Sequence, residues 1–399
     1  MVMYSKYFLM NEEDVKSYVQ VKIKGFSGTL HSDEIGDGNL NYVFRVKNEQ
    51  GDSVIVKQAG PQARISEDFV LSTDRNRIET EALIIEGELT PSLVPEILLF
   101  DEVMSCCVME DLKDFEIMRK QMNVFKTYDH FAELISTFMA ENLIRTTDFL
   151  LDPKKKKEYQ KRFINPELCE ITEHLVYTEP YIDFKKQNIL TAGNEEWIHS
   201  FVYKDTALHL EVAKRKIQFL TEAQALLHGD LHTGSIFIND ETLKVIDPEF
   251  AFYGPIGYDV GNLIANLTFA WARGLAYKED EFVSWIEETL LSTIQLFHKK
   301  ARNILAASTE QFAVYSALLD DYMEQISRDA FAIAGIEMNR RIIGLAKVTD
   351  ITSIEPIDAR ITAERRCLNI AKECILNKEI SHIQDYIKLL QKYKNGVLI

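Results

Sequence analysis

A chain of 399 residues is long enough for two domains or two large lobes. Hydrophobic residues make up 46% and charged residues 27%, which excludes intrinsic disorder, collagen and coiled-coil rods. With 45 Lys and Arg against 62 Asp and Glu, the net charge of −17 repels nucleic acid and anionic membranes, although a local positive site for a nucleotide is compatible with it.

The segment Met1–Asn11 is mixed and lacks a signal-peptide core. A helical period opens near Asn11 and places Val15, Tyr18 and Val19 on one face up to about Ile23. From Gly28 to Gln58 the pattern turns to β. A strand is predicted near Thr29–Ile35, then a hairpin of Tyr42–Val46 and Ser53–Lys57 around Gly51-Asp52. Asp74–Glu88 reads as a helix with Ile78, Ala82 and Ile85 on one stripe, followed by strands at Val94–Phe100 and Met104–Met109. These elements predict a small α+β N-terminal lobe over 1–110. Beyond it, 111–399 reads as a larger, mainly helical lobe, with helices over Asp129–Asn142, Asn165–Leu175, Asp205–Leu227 and Glu279–His298. A β-hairpin within Ser235–Asp247 interrupts them, and Lys154–Lys157 reads as a solvated charge run. Phe331–Val348 is apolar nearly all round and predicts a buried helix, broken by Arg340 and Arg341.

Cys106, Cys107, Cys169, Cys367 and Cys374 form no CxxC pair, which fits a reduced, cytoplasmic compartment. The nine histidines show no zinc spacing, and no apolar run reaches the roughly 18 residues of a membrane span.

The strongest chemical signal is His228-Gly229-Asp230-Leu231-His232-Thr233-Gly234-Ser235, followed after the hairpin by Asp247-Pro248-Glu249. The hairpin brings an isolated Asp beside a carboxylate pair. Phosphoryl transfer uses one carboxylate to orient the attacking hydroxyl and others to hold Mg²⁺, which shares its oxygen ligands with phosphates. Upstream, Gly36 and Gly38 lie between predicted strands, where main-chain N–H groups can approach phosphates. Lys57 ends the next strand and needs a fixing carboxylate; Glu79 is the candidate and Glu81 the rival. His228 and His232 read as structural donors to the loop, since a metal role lacks a third soft ligand nearby. Asp259 opens an apolar helix and reads as its N-cap. For Arg340 and Arg341, a salt bridge with an acid such as Glu337 competes with a place facing a wet cleft. Adjacent helical residues point about 100° apart, so both arginines are not expected to serve one salt bridge.

The glycine-rich hairpin, strand Lys, helix Glu and HGD…DPE order resembles the protein-kinase-like fold of small-molecule kinases, the aminoglycoside phosphotransferase and choline kinase group. Within it, Glu34–Phe44, the His228–Ser235 segment and Asp247-Pro-Glu-Phe-Ala-Phe-Tyr-Gly-Pro closely resemble the 5-methylthioribose kinase family. The resemblance implies a bilobal α+β fold and MgATP-dependent phosphorylation of the anomeric hydroxyl of 5-methylthioribose in methionine salvage, by a cytoplasmic homodimer without nucleic-acid or membrane partners. It implies Asp230 as catalytic base on the sugar hydroxyl, and Asp247 and Glu249, around Pro248, as Mg²⁺ ligands. It further implies Lys57 on the α/β-phosphates, Asn41 at the glycine-rich loop and Asp259 as an anchor of the catalytic loop, a role compatible with the N-cap. Glu110, Asp111 and Leu112 form a hinge reading adenine through the backbone, and Arg340 and Arg341 face the sugar. Ser235 departs from the group, where many relatives place a metal-binding Asn, so it is expected to contribute little to the metal or to act through water. An aminoglycoside, choline or homoserine kinase is the alternative enzyme; an ATP-binding scaffold is the alternative class.

Overall fold

The computed structural model describes residues 4–35, 41–60, 72–308 and 316–396. Gly36 and Gly38 lie outside the described residues. The first helix, α1 (Glu12–Lys22), is fixed at its start by a reciprocal cap. The Asn11 side chain accepts from the N–H groups of Glu13 and Asp14, and Asp14 accepts from the Asn11 N–H. Val15, Tyr18 and Val19 are its buried face, as their spacing predicts.

That face covers a five-stranded antiparallel sheet of β1 (Leu30–Glu34), β2 (Asn41–Asn48), β3 (Ser53–Ala59), β4 (Ile97–Asp101) and β5 (Cys106–Glu110), in the order β1-β2-β3-β5-β4. The predicted strands are all present. The last two lie two to three residues later than expected at their starts, because the turn through Glu102–Ser105 takes up Met104. Central β3 is buried along nearly its whole length, with Lys57 opposite Val43 on β2 and Cys107 on β5. Val46, Val54, Val56 and Val108 pack with Val15 and Tyr18 on one side of the sheet. The helix α2 (Asp74–Leu89) turns Ile78, Glu79, Ala82 and Glu86 inward.

After Glu110 the chain crosses through β6 (Glu116–Ile117) and α3 (Met118–Asn123) into a helical region. The helix α4 (Phe131–Met139) continues into a π-helical turn at Ala140–Ile144. The helix expected over Asp205–Leu227 is shorter. As α5 it spans Thr206–Thr221, Glu222 is extended, and Ala225–Leu226 forms β7 paired with β10 (Tyr253–Gly254). Ending the helix there delivers the chain, extended, to the His228 loop. The hairpin is β8 (Ile236–Ile238) with β9 (Leu243–Val245), and β6 pairs with β8.

Four long helices complete the lobe: α6 (Gly257–Tyr277), α7 (Asp280–Leu305), α8 (Ser316–Ile343) and α9 (Ile357–Leu376), followed by α10 (Ile383–Asn395). The helix expected over Phe331–Val348 begins earlier and stops at Ile343, where the Gly344 N–H closes the last turn on the Arg340 carbonyl. It lies between α6 and α9, buried by Ile333, Ile336, Met338 and Ile342, so its arginines meet the interior rather than bulk water. One core runs from Ile55 and Met109 through these helices. All five cysteines are free, and no helix among the described residues is long and apolar enough to cross a membrane.

Candidate active site

Two loops and the end of a helix meet between the two halves. The first is His228–Ser235, between β7 and β8. Gly229 holds φ at +81°, and a Cβ there would lie 2.2 Å from the Phe250 carbonyl oxygen, so only glycine lets this loop pass the Asp247 turn. Asp259, in the first turn of α6, accepts from the N–H groups of His228 (2.7 Å) and Gly229 (3.0 Å). The helix begins at Gly257 with Ile256 at the cap position, so Asp259 anchors the loop and does not cap the helix. Burial outweighs those two donors and pushes its carboxyl up to about 7. His228 donates from Nε2 to the Ile246 carbonyl and accepts the Asp230 N–H at Nδ1, and burial pulls its pKa down to about 4. Both contacts are structural, as expected from the sequence.

Asp230 faces the cleft with 27% of its side chain exposed. His232 Nε2 lies 3.3 Å from one carboxylate oxygen and Arg341 Nη2 lies 3.6 Å from the other. Burial would raise its pKa, but His232, Arg341 and Arg340 overcome that and hold the carboxyl well below the usual range.

The second loop follows β9. Asp247 takes a left-handed conformation, φ 66° and ψ 46°, costing on the order of 1 kcal/mol for a non-glycine residue. That turn aims its carboxylate at β3, where Lys57 Nζ lies 2.6 Å from Asp247 Oδ1 and 2.6 Å from Glu79 Oε1. Burial opposes the lysine charge, and Asp247 and Glu79 overcome it, keeping the ammonium protonated well above the usual lysine range. The Lys57 partner is thus Glu79; Glu81 pairs with Arg77 and Arg162. Glu249 Oε2 accepts from Asn41 Nδ2 at 3.0 Å, and the Asn41 oxygen accepts from Arg75 Nε at 3.1 Å. Asn41 therefore braces the Asp247–Glu249 turn from β2. Burial raises the Glu249 pKa, with Lys57 opposing and Asp247 adding to the rise. A cation between these acids would relieve their repulsion. Two carboxylates one residue apart, all-oxygen donors beside a lysine suited to phosphates, match how Mg²⁺ is held when phosphate and water supply its other ligands. Among the described residues no group of three or more His, Cys, Asp and Glu closes on a metal position.

The Ser235 hydroxyl lies 3.1 Å from His232 Nδ1. At the junction of the halves, Glu110 pairs with Lys244 and Asp111 with Arg45 and Ser53, so what this segment offers a ligand is main chain. Leu112 is buried.

The third wall is the end of α8. Arg340 Nη1 lies 3.1 Å from Glu337 Oε2 and Arg341 Nε lies 2.5 Å from Glu337 Oε1. One acid serves both arginines, against the expectation from their 100° separation. The reason is that 337 stands three residues before one and four before the other, and both spacings share a helix face. Arg341 also sets Nη2 3.6 Å from Asp230 Oδ1, whereas Arg340 pairs with Glu337.

Sequence reasoning missed Arg75, which joins Asn41 to the Gly60 carbonyl, and Asn165, which donates to the carbonyls of Glu249 and Ala251. It also missed Arg119 of α3, paired with Asp350 and Asn266 beside the His228 loop. No linear motif marks these three.

Residues 164–283 match the model of the phosphotransferase enzyme family named APH. The chain is 41% identical over 365 residues to the methylthioribose kinase of Geobacillus thermodenitrificans, covering 89% of each chain. It is 38% identical over 402 residues to that of Yersinia enterocolitica, covering 97% of this chain and 99% of the relative. Among solved structures, a choline kinase from Cryptosporidium parvum superposes with a TM-score of 0.51 at 14% identity, covering 95% of this chain and 100% of that one. That likeness shows the fold: the bilobal, protein-kinase-like α+β fold expected from the sequence.

Proposed function

This chain belongs to the methylthioribose kinase family, and from that premise we propose that it transfers the γ-phosphoryl group of ATP to the anomeric hydroxyl of 5-methylthioribose, in methionine salvage. The products are 5-methylthioribose 1-phosphate and ADP. The observation that carries this reading is the convergence of Lys57, Asp247, Glu249, Asp230 and Arg341 on one cleft.

In this reading residues 1–110 hold the nucleotide phosphates and 111–399 carry the catalytic loop and sugar site. Asp230 orients the acceptor hydroxyl and takes its proton as the sugar oxygen bonds to phosphorus and the bond to ADP breaks. Its depressed pKa keeps it an acceptor throughout the working pH range. Lys57 meets the α/β-phosphates, which displace Asp247 from its ammonium. Asp247, so released, and Glu249 would hold Mg²⁺, which would neutralise phosphate charge. Pro248 keeps the two acids on one short turn. The main chain of Glu110–Leu112 reads adenine, and Gly36 and Gly38 cover the phosphates. Arg341 stands where charge builds on the transferring group. A homodimer in the cytoplasm completes the reading, as the family resemblance implies.

The guanidinium already beside Asp230 favours a neutral sugar, because an ammonium from choline or an aminoglycoside would be repelled there. The test is ADP release from MgATP with methylthioribose, choline or kanamycin as acceptor. Turnover with methylthioribose alone is expected. Turnover with choline or kanamycin in its place would select the alternative kinase, and ATP binding with no acceptor-dependent release would select the scaffold.

A further inference from the structure

Two residues of the His228–Ser235 loop, His232 and Ser235, touch neither substrate nor metal in the reading above, and their geometry is unusual. Three donors surround His232 Nδ1: the N–H of Gly234 at 3.1 Å, the N–H of Ser235 at 3.0 Å and the Ser235 hydroxyl at 3.1 Å. A ring nitrogen met by two main-chain N–H groups must present its lone pair, so the ring proton resides on Nε2. Nε2 is the atom that lies 3.3 Å from Asp230 Oδ2. We propose that Ser235 and His232 are positioning residues in a chain of contacts: the Ser235 hydroxyl and the loop N–H groups fix the imidazole, whose Nε2–H faces the Asp230 carboxylate at 3.3 Å and fixes the rotation of the base. The proposal rests on the reading of Asp230 as the base.

Two further features support the chain. A Cβ on Gly234 would lie 2.9 Å from both Arg119 Nη1 and His232 Cε1, so the missing side chain makes room for a guanidinium beside the ring. That cation, with Arg341, disfavours a charged imidazole, and the His232 pKa is lowered, first by burial. A neutral ring with one N–H can donate to Asp230 without neutralising it. The other ionisable groups facing this pair are Arg340, Glu337, Tyr258, Glu249, Asp259, His228 and Asp350, and none of their hydrogen bonds ends on Asp230 Oδ2. The chain also gives Ser235 a role: in place of holding a metal, its hydroxyl fixes the ring that holds the base.

Two substitutions at His232 separate positioning from loop support. Asn places an acceptor where Nδ1 was and removes the N–H near Asp230, whereas Gln reaches the Nε2 position and loses the acceptor. The acceptor used is whichever one the wild type turns over, so a wrong substrate assignment shows in the wild type and a wrong chain shows only in the ranking of variants. His232→Asn should melt with the wild type and keep its KM for ATP, with kcat down roughly ten- to a hundredfold, the loss of one hydrogen bond to a charged group. His232→Gln should melt lower yet turn over faster than His232→Asn. Ser235→Ala should lower kcat about two- to fivefold alone and add nothing to His232→Asn, because its path to Asp230 is already cut. Wild-type turnover in His232→Asn, a ranking with Asn above Gln, or an undiminished Ser235→Ala loss in the His232→Asn background would each overturn the proposal.

Discussion

Replacing Glu337 by Gln isolates the group on which both arginines of α8 depend. Its side chain is 1% exposed, and its two oxygens each meet a guanidinium, from Arg340 and Arg341. Burial would raise its pKa; the two guanidiniums overcome that and hold it below the usual carboxylate range. An amide offers one acceptor oxygen and turns donors toward the other arginine, leaving one buried guanidinium unmatched. Removing one partner of a buried pair costs about 3–5 kcal/mol, and retention of one acceptor places this change near the lower end, about 3 kcal/mol. Unfolding entropy of about 2.1 cal/mol/K per residue gives roughly 0.8 kcal/mol/K for 399 residues, so Tm should fall by about 4 °C. A carboxyl whose folded pKa is depressed stabilises above its unfolded pKa, about 4.3, and loses that contribution as pH falls through the folded value. The Tm deficit should therefore be full at neutral pH and shrink below about pH 4. Arg341, no longer held at Nε, should close on Asp230 and slow turnover. Calorimetry over that pH range, with ADP release measured well below the transition, reads both effects. An unchanged Tm at neutral pH with normal turnover would refute the shared-acid account.

Asp230→Asn should bind ATP as the wild type does and lose about 10²–10⁴-fold in kcat, since the base acts on the acceptor; near-wild-type turnover would remove it from that role. Asp247→Ala and Glu249→Ala should each weaken Mg²⁺-dependent ATP binding by roughly tenfold or more, read by calorimetric titration with and without the metal. Ser235→Ala should leave that binding in place; were it the most damaging of the three, the assignment of the metal turn would be wrong. Asp259 has a folded pKa near 7 against about 3.9 when unfolded, so its contribution to stability falls as pH rises from about 4 to about 7 and is level above. Asp259→Asn should remove that part of the pH dependence while slowing turnover, because one amide oxygen cannot accept from both His228 and Gly229; an unaltered pH profile of Tm would refute it.

Motifs whose parts are adjacent in sequence could be read directly: Gly229 beside Asp230, and Asp247 two before Glu249. So could the small lobe, because β2 and β3 are short, β-branched and aromatic runs either side of a Gly51-Asp52 turn. Contacts that cross the fold could not. Glu79 and Glu81 are both plausible partners of Lys57 until α2 is set against β3, which turns Glu79 inward and Glu81 to Arg162. The ends of α5 and α8 depart from the apolar period for one reason. Apolar residues continue past each helix, at Ala225–Leu226 and at Leu345, but they serve a strand in one case and follow a Gly344 turn in the other. Hydrophobic period alone does not distinguish those from another turn of helix. The twin arginines erred differently: the 100° rule was applied between them when the relevant spacing was from each to Glu337.

On the function proposed above, a chain of net charge −17 hosts an anionic nucleotide because its site is a set of mutually compensated charges. Lys57 answers Glu79 and Asp247, Arg341 answers Glu337 and Asp230, and Arg119 answers Asp350. Each buried ion would be costly alone and is tolerable in its pair. The pairs differ in how they can open. Glu337 is sealed within α8 and offers its arginines no exchange, whereas Asp247 is 43% exposed and held in a strained turn at the cleft. Phosphate oxygens can take its place on Lys57, and a divalent cation can take the place of Lys57 on Asp247, with no charge left uncompensated at either step. On the function proposed above, the strain at Asp247 and its exposure have one explanation: this would be the pair exchanged when nucleotide and metal arrive together, while the arginine pairs stay closed and keep the proposed base and the transferring group in register.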